Sequence, residues 1–373
     1  MTQITLGVEE ELQVVDSASL ALSPHDFDRS AALFPASVGD VDREMFAATL
    51  EIKTGICSTP DEVVNQLTSL RAVAAARAQS QGQQVLCAGL HPFSDWLGQV
   101  TNDDPAVSSH YVRVMQEYQG AARAVVSFGM HVHLGLPDPQ LRMPVMNRLR
   151  EFLPVVLALS ANSPFTRGAD TGLQSWRHAV FSRLPRTGIP QPWEDESAYW
   201  GHLDRLRTAG CLGQNAGLWE DLRLHHVFGT LEVRICDAHH SLSRVGLIVA
   251  LLQMEAAALC GQLRQELTRG PRLPEVPAAL LEENKWRACR YGMAATLVDW
   301  RTSEQQSVAG LLTRWLERNH GLLEEWGVAE KMRQAVALAL REGTGADEQR
   351  RWRQEVGSLT GTVHALSLAT LGP

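Results

Sequence analysis

Four stretches of the chain alternate apolar and polar residues with a period of two: Leu6-Gly-Val-Glu-Glu-Glu-Leu12, Thr49-Leu-Glu-Ile-Lys-Thr54, Gly129-Met-His-Val-His-Leu-Gly135 and Thr230-Leu-Glu-Val-Arg-Ile-Cys-Asp237. That period is the signature of a strand with one face in the core and the other in water or a cleft. In the last stretch Leu231, Val233 and Ile235 are expected to pack inward, leaving Glu232, Arg234 and Cys236 on the opposite face. An antiparallel sheet with one wet side is written this way.

Elsewhere the pattern lengthens to the helical period. Ser58-Thr59-Pro60-Asp61-Glu62 supplies a cap, a proline at the first helical position and first-turn acids for an Ala-rich helix running to about Gln79. Further helices are expected over 108–123, 138–160, 176–184 and 197–208, with Pro144 and Pro154 kinking or dividing the second of these. The segment 241–267 is the most apolar helix, and 84–89 reads as a short buried strand. Gly270-Pro-Arg-Leu-Pro-Glu-Val-Pro277 has the composition of a linker, and helical patterns prevail beyond it. Residues 16–35 read as a turn-rich excursion, and 162–177 as a long loop dense in hydroxyls, the kind that in a compact protein usually serves function. Strands early and helices late predict an α+β fold around one mostly antiparallel sheet. The expected organisation is a single catalytic domain over 1–373, with 278–373 a helical portion packed on the sheet.

Composition narrows the function classes. The 373 residues are 45% hydrophobic and 20% charged, as in a globular protein, and the net charge of -8 argues against a nucleic-acid-binding face. No apolar run was expected to approach the roughly 20 residues of a membrane span, and the N-terminus lacks a basic n-region and an apolar h-region, so no membrane association and a cytoplasmic location are expected. Six cysteines without C-x-x-C spacing point to buried free thiols rather than disulfides or a zinc-sulfur site.

The chemistry sits on the polar faces of the strands. Glu9 and Glu11 point the same way, about 7 Å apart at ~3.3 Å per residue, and a divalent cation is an economical partner for two carboxylates that close. A solvated acidic edge strand fits equally well. His131-x-His133 suits a zinc hydrolase, one imidazole of a Mg²⁺ or Mn²⁺ site, or two ordinary hydrogen-bonded histidines. Glu51 with Lys53, and Glu232 with Arg234, are each also explained as strand-face ion pairs. Four such strands in one chain favour a shared site. Carboxylates, an imidazole and an Arg suit phosphoryl transfer, yet G-x-x-x-x-G-K-[ST], G-x-G-x-x-G and H-E-x-x-H are all missing, so a nucleotide would bind by neither a P-loop nor a Rossmann route.

Taken together, Gly7-Val-Glu-Glu-Glu-Leu, Leu50-Glu-Ile-Lys-Thr-Gly, His91-Pro-Phe, Gly129-Met-His-Val-His-Leu-Gly, Ser163-Pro-Phe with Gly168-Ala-Asp-Thr-Gly, Phe228-Gly-Thr-Leu-Glu-Val-Arg-Ile-Cys-Asp and Glu283-Asn-Lys-Trp-Arg-Ala-Cys-Arg-Tyr-Gly resemble the type 2 glutamate-cysteine ligase, or carboxylate-amine ligase, family. The resemblance implies a glutamine synthetase-like fold, whose curved antiparallel sheet holds ATP and divalent metals, Mg²⁺ or Mn²⁺, on its concave face. It implies an ATP-dependent ligase that forms an amide through an acyl phosphate, with L-glutamate and L-cysteine as default substrates. By the same resemblance Glu9, Glu11, Glu44, Glu51, His131 and Glu232 are metal ligands and Arg234 is the phosphate-contacting catalytic cation. Arg177, Arg223 and Arg290 are candidates for clamping a substrate carboxylate. Ser175-Trp-Arg177 and the Trp219 to Arg223 spacing depart from the family pattern where substrates would be selected. Two other readings stand beside this one: a zinc-dependent hydrolase using His131 and His133, and a non-catalytic protein that binds metal and nucleotide. Small-molecule amino acids and ATP are the expected partners, and a homodimer is a plausible assembly.

Overall fold

The computed structural model describes residues 3–26, 39–102, 105–213, 217–269 and 276–372. Residues 27–35 of the 16–35 excursion and 270–275 of the 270–277 linker therefore lie outside the described residues.

The centre of the molecule is a seven-stranded sheet of β1 (Thr5–Asp16), β2 (Gly39–Arg43), β3 (Thr49–Thr54), β4 (Gln83–Leu86), β5 (Gly129–Gly135), β6 (Leu222–Leu224) and β7 (Leu231–Asp237). The order is β6-β7-β5-β1-β3-β2, and every pairing is antiparallel. β1 is the axis. Glu9 and Glu10 pair with β3 on one edge and β5 on the other, while Gln13 to Asp16 run past the end of β5 to pair with β4. All four alternating stretches of the sequence thus become neighbours in one sheet.

Alternation works as expected on β1 and β5. Leu6, Val8, Leu12, Met130, Val132 and Leu134 are buried in the main core, and helices Pro60–Ser80 and Leu242–Arg269 pack behind them. Thr59 caps the first of these through the Glu62 backbone N–H. Glu10, the middle acid of its triplet, faces this core and meets Arg71, whose guanidinium also donates to the carbonyls of His239, His240 and Thr370. One side chain thereby ties β1, the first long helix, the turn after β7 and the last helix.

β7 breaks the expected alternation. The register shifts between Val233 and Cys236, so that Cys236 lies opposite Met130 on the core side rather than beside Glu232 and Arg234. An extra residue in one strand of an antiparallel pair is a β-bulge, which re-aims the side chains around it. Period-two reading cannot see a bulge, because the sequence Val-Arg-Ile-Cys alternates perfectly.

The division expected within 138–160 gives Arg142–Leu149 and Leu153–Ser160, with Pro154 in the first turn of the second piece. Two other differences have simple causes. A hairpin of Thr296–Asp299 and Glu304–Ser307 interrupts the helical C-terminal portion; its four-residue strands are too short to show a period. The helix Leu242–Glu266 is long and apolar enough to cross a membrane, where no such run was expected, but most of it is buried. A helix surrounded by core is apolar on every side.

Candidate active site

The polar face of the sheet carries rows of chemistry that run across strands. Glu232 lies opposite His133; Arg234 reaches His131, which lies opposite Glu9, itself opposite Lys53. One row further, Glu11 lies opposite Glu51, which lies opposite Asp42. Successive rows are two residues, or about 7 Å, apart. Glu44, just beyond the end of β2, turns inward and accepts from the Tyr111 hydroxyl at 2.7 Å. The odd offset between Glu44 and Glu51 is absorbed by the connection between β2 and β3.

Side-chain oxygens and nitrogens converge into three overlapping groups: Glu9, Glu51 and His131; Glu9, His133 and Glu232; and Glu11, Glu44 and Glu51. In each group one ligand atom per residue lies within 4.8 Å of the others, the spread that a single cation can bridge. His131 Nε2 and His133 Nε2 are buried and have no hydrogen-bond partner, although such atoms are ordinarily satisfied.

Electrostatics agrees with a cation site. Burial, then the charge of Glu44, pushes the Glu11 carboxyl up to about 7. Burial followed by Glu44 and Glu9 raises Glu51 well above the usual carboxylate range, and burial raises Glu44 too. Burial alone would raise Glu232 as well, but Arg223 and Arg234 outweigh it and hold that carboxyl far below its ordinary value. Burial and the neighbouring Arg234 lower the His131 imidazole to about 4, leaving it neutral with a lone pair to offer at neutral pH. Crowded carboxylates that resist ionisation are what a divalent cation relieves, and an oxygen-rich donor set suits Mg²⁺ or Mn²⁺. The Glu51–Lys53 pair suggested by alternation does form, at 2.6 Å, but Glu51 is only 4% exposed, so it is no surface pair.

The arginines divide. Arg234 contacts Glu232 and comes within 3.4 Å of His131 Nδ1, in the middle of the site. Arg223 holds Glu232 through two hydrogen bonds of 2.7 and 3.1 Å and also donates to the Leu218 carbonyl, so it serves the carboxylate inside the site. Arg177 is buried, and its Nε has no hydrogen-bond partner. A Cβ at Gly129 would sit 2.4 Å from the Arg177 guanidinium, so the missing side chain there makes its room. Arg290 is exposed, donates to the Gly172 carbonyl and lies over the Tyr291 ring, away from the carboxylates.

Beside Glu11 and Glu44 opens a cavity of about 100 Å³, lined by Tyr111, Arg177, Phe181, Trp219 and Arg234. A larger cleft of about 740 Å³ lies elsewhere, between the helix Leu242–Arg269 and the helix Val308–Arg318. Three of its arginines meet acids, Arg148 meeting Glu266, Arg301 Glu151 and Arg318 Glu255, while Arg314 donates to Gln306, and it contains none of the converging residues.

Several supporting residues escaped sequence reasoning. Lys285, buried in the Glu283 to Gly292 motif, meets Asp221 at 2.6 Å, and the Asp221 carbonyl accepts the Arg234 backbone N–H. His178 donates from Nε2 to the Ile235 carbonyl at 2.7 Å, so two side chains and a neighbouring backbone hold the bulge. The loop hydroxyls also have a structural task. Ser163 and Ser175 donate to buried Asp237, while Asp170 pairs with Arg350 of the helix Gly345–Val356. The motif around Lys285 was visible in the sequence, but its role was not; Tyr111 left no signal at all.

The description "Glutamate-cysteine ligase family 2" fits residues 5–368. The chain belongs to that family. It is 36% identical over 349 residues to "Putative glutamate--cysteine ligase 2" of Sorangium cellulosum, covering 93% of this chain and 91% of the relative. The same description from Herpetosiphon aurantiacus is 33% identical over 370 residues, with 98% and 93% covered. Among solved structures, glutamate-cysteine ligase of Francisella tularensis in complex with AMP has a TM-score of 0.69 at 10% identity, covering 100% of this chain and 90% of that one. A bifunctional glutathione synthetase of Pasteurella multocida gives 0.71 at 16% identity over 99% of this chain and 52% of its own. These likenesses show the shared fold, and family membership makes the protein an enzyme of the ATP-dependent ligase class.

Proposed function

We propose that the protein joins a carboxylate to an amine in two steps, with L-glutamate and L-cysteine as the default pair. The carboxylate oxygen takes the γ-phosphoryl group of ATP, releasing ADP; the amine nitrogen then attacks the acyl carbon, phosphate leaves and an amide remains. The observation that carries this reading is the convergence of Glu9, Glu11, Glu44, Glu51, His131 and Glu232 from separate parts of the chain onto one buried face. These six would hold Mg²⁺ or Mn²⁺, which supplies charge neutralisation for the polyphosphate and the acyl phosphate. Arg234, in their midst, contacts the transferring phosphoryl group, where a fixed cation stabilises developing charge. Arg223 holds Glu232 in place, and Arg177 faces the small cavity where a substrate carboxylate fits a guanidinium.

Zinc hydrolysis through His131 and His133 gains no support from this geometry, because the two imidazoles fall in different ligand groups. We read 1–373 as one catalytic unit in which 278–373 completes the scaffold, since Lys285 reaches Asp221 and the Thr370 carbonyl accepts from Arg71.

Purified protein incubated with ATP, Mg²⁺ and a panel of amino acids should form ADP only when both a carboxylate and an amine substrate are present, with the amide seen by mass spectrometry. No amine-dependent ADP across a broad panel, with metal bound, overturns the ligase reading.

A further inference from the structure

The three ligand groups share members. Glu9 joins the Glu9, Glu51 and His131 group to the Glu9, His133 and Glu232 group, and Glu51 joins it to the Glu11, Glu44 and Glu51 group, so it is the middle one of the three. Lys53 reaches into that middle group. On β3 its side chain leaves by the same face as Glu51, and it lies directly across from Glu9 of β1.

The Lys53 Nζ stands 2.6 Å from Glu51 Oε2, 3.0 Å from Asp42 Oδ2 and 3.6 Å from Glu9 Oε1. These acids come from three adjacent strands, and an ammonium has three N–H donors to turn towards them. A simple strand-face ion pair would engage one carboxylate. Lys53 engages three, including both carboxylates of the middle group. Among the described residues no single cation does this in either outer group: Glu232 is held by Arg223 and Arg234 while Glu9 meets Lys53, and Glu51 alone of Glu11, Glu44 and Glu51 pairs with a lysine.

We propose that Lys53 is the built-in cation of the middle group, and that divalent ions enter the face only at the two outer groups. A Mg²⁺ between Glu9 and Glu51 needs their oxygens at about 2.0–2.1 Å, which puts it beside the ammonium in a buried site, where like charges repel strongly. His131 then serves the outer groups, its Nδ1 being 3.9 Å from Glu232 Oε1 and its Nε2 4.0 Å from Glu11 Oε1. The inference rests on the cation-binding part of the ligase reading. It makes Lys53 a positioning residue that limits how many metal ions the face takes.

The test counts Mn²⁺ ions bound per full-length chain by electron paramagnetic resonance. Lys53→Met keeps the apolar stem and drops the charge, so it should bind one more ion than wild type, and Lys53→Arg should bind the wild-type number. With a chelator Lys53→Met should unfold at a lower temperature than wild type, and Mn²⁺ should close that gap; a merely structural lysine would leave the gap open. Equal counts in wild type and a folded Lys53→Met that still forms the amide overturn the role of Lys53 and leave the ligase reading standing. Where Lys53→Met does not fold, wild-type crystals soaked in Mn²⁺ answer instead. An anomalous peak at coordination distance from both Glu9 and Glu51 overturns the proposal, and peaks confined to the outer groups uphold it. Wild type that binds no Mn²⁺ removes the cation site from the ligase reading, and this proposal with it.

Discussion

Arg71 meets Glu10 through two hydrogen bonds of 2.8 and 2.7 Å, with neither side chain more than 1% exposed. Burying two charges is costly, and the geometry here is good enough to offset it because every remaining bond of the guanidinium goes to a backbone carbonyl. Arg71→Met leaves Glu10 buried without its partner and three carbonyls without theirs. We expect a loss of about 3–5 kcal/mol in stability, read from the urea midpoint. A loss under about 1 kcal/mol would mean that water or relaxation replaces the pair.

Lys285 supports Asp221, and Asp221 supports the backbone of Arg234. Lys285→Met should therefore lower kcat by roughly 10- to 100-fold, the usual cost of losing an outer supporting contact, with a smaller effect on the KM for ATP. Lys285→Arg should recover part of it. If kcat is unchanged in a folded Lys285→Met, the bulge keeps its shape without the ion pair.

Glu11 ionises unwillingly beside Glu44, so it destabilises the metal-free protein and pays this back when a cation arrives. Saturating Mg²⁺ at ~100 Kd should raise wild-type stability by about 2.7 kcal/mol. Glu11→Gln should lose most of that gain while its metal-free stability does not fall. Thermal unfolding with Mg²⁺ and with a chelator measures both; an undiminished Mg²⁺ response in Glu11→Gln removes this residue from the cation site.

His91, in the His-Pro-Phe motif, is buried and braces the chain around it. Its Nδ1 accepts from the Phe93 and Ser94 N–H groups and its Nε2 donates to the Leu20 carbonyl, an arrangement available only to the neutral ring. Burial lowers its pKa from 6.5 to about 4. Because the folded value is the lower one, the unfolded chain takes up the proton first as pH falls. Stability should be unaffected above pH 6.5 and decline down to about pH 4, by at most about 3 kcal/mol for this group. Unfolding midpoints of wild type and His91→Gln, followed over that range, should converge as pH falls. Parallel curves would assign the acid sensitivity to other histidines.

The sheet and the carboxylate face were legible because their signal is local: Glu9 with Glu11, and His131 with His133, announce their shared sides by position alone. What stayed hidden depends on distant partners. Nothing near Tyr111 says that it will meet Glu44, and nothing near Arg223 distinguishes a substrate clamp from the brace on Glu232 that it forms. The one-residue register change in β7 is hidden for a different reason. The side chains alternate flawlessly, and only the backbone bonds to Asp221 and from His178 show where the count slips.

That slip constrains how the protein can vary. Straightening the strand at its present length would turn the half beyond Arg234 over relative to the rest, sending either Glu232 into hydrocarbon or Cys236 into the cleft, whereas trimming Ile235 would keep both sides but remove the carbonyl that His178 holds. The extra residue and the bulge that absorbs it are therefore a single constraint, and one cannot change without the other while Glu232 stays in the cleft and Cys236 in the core.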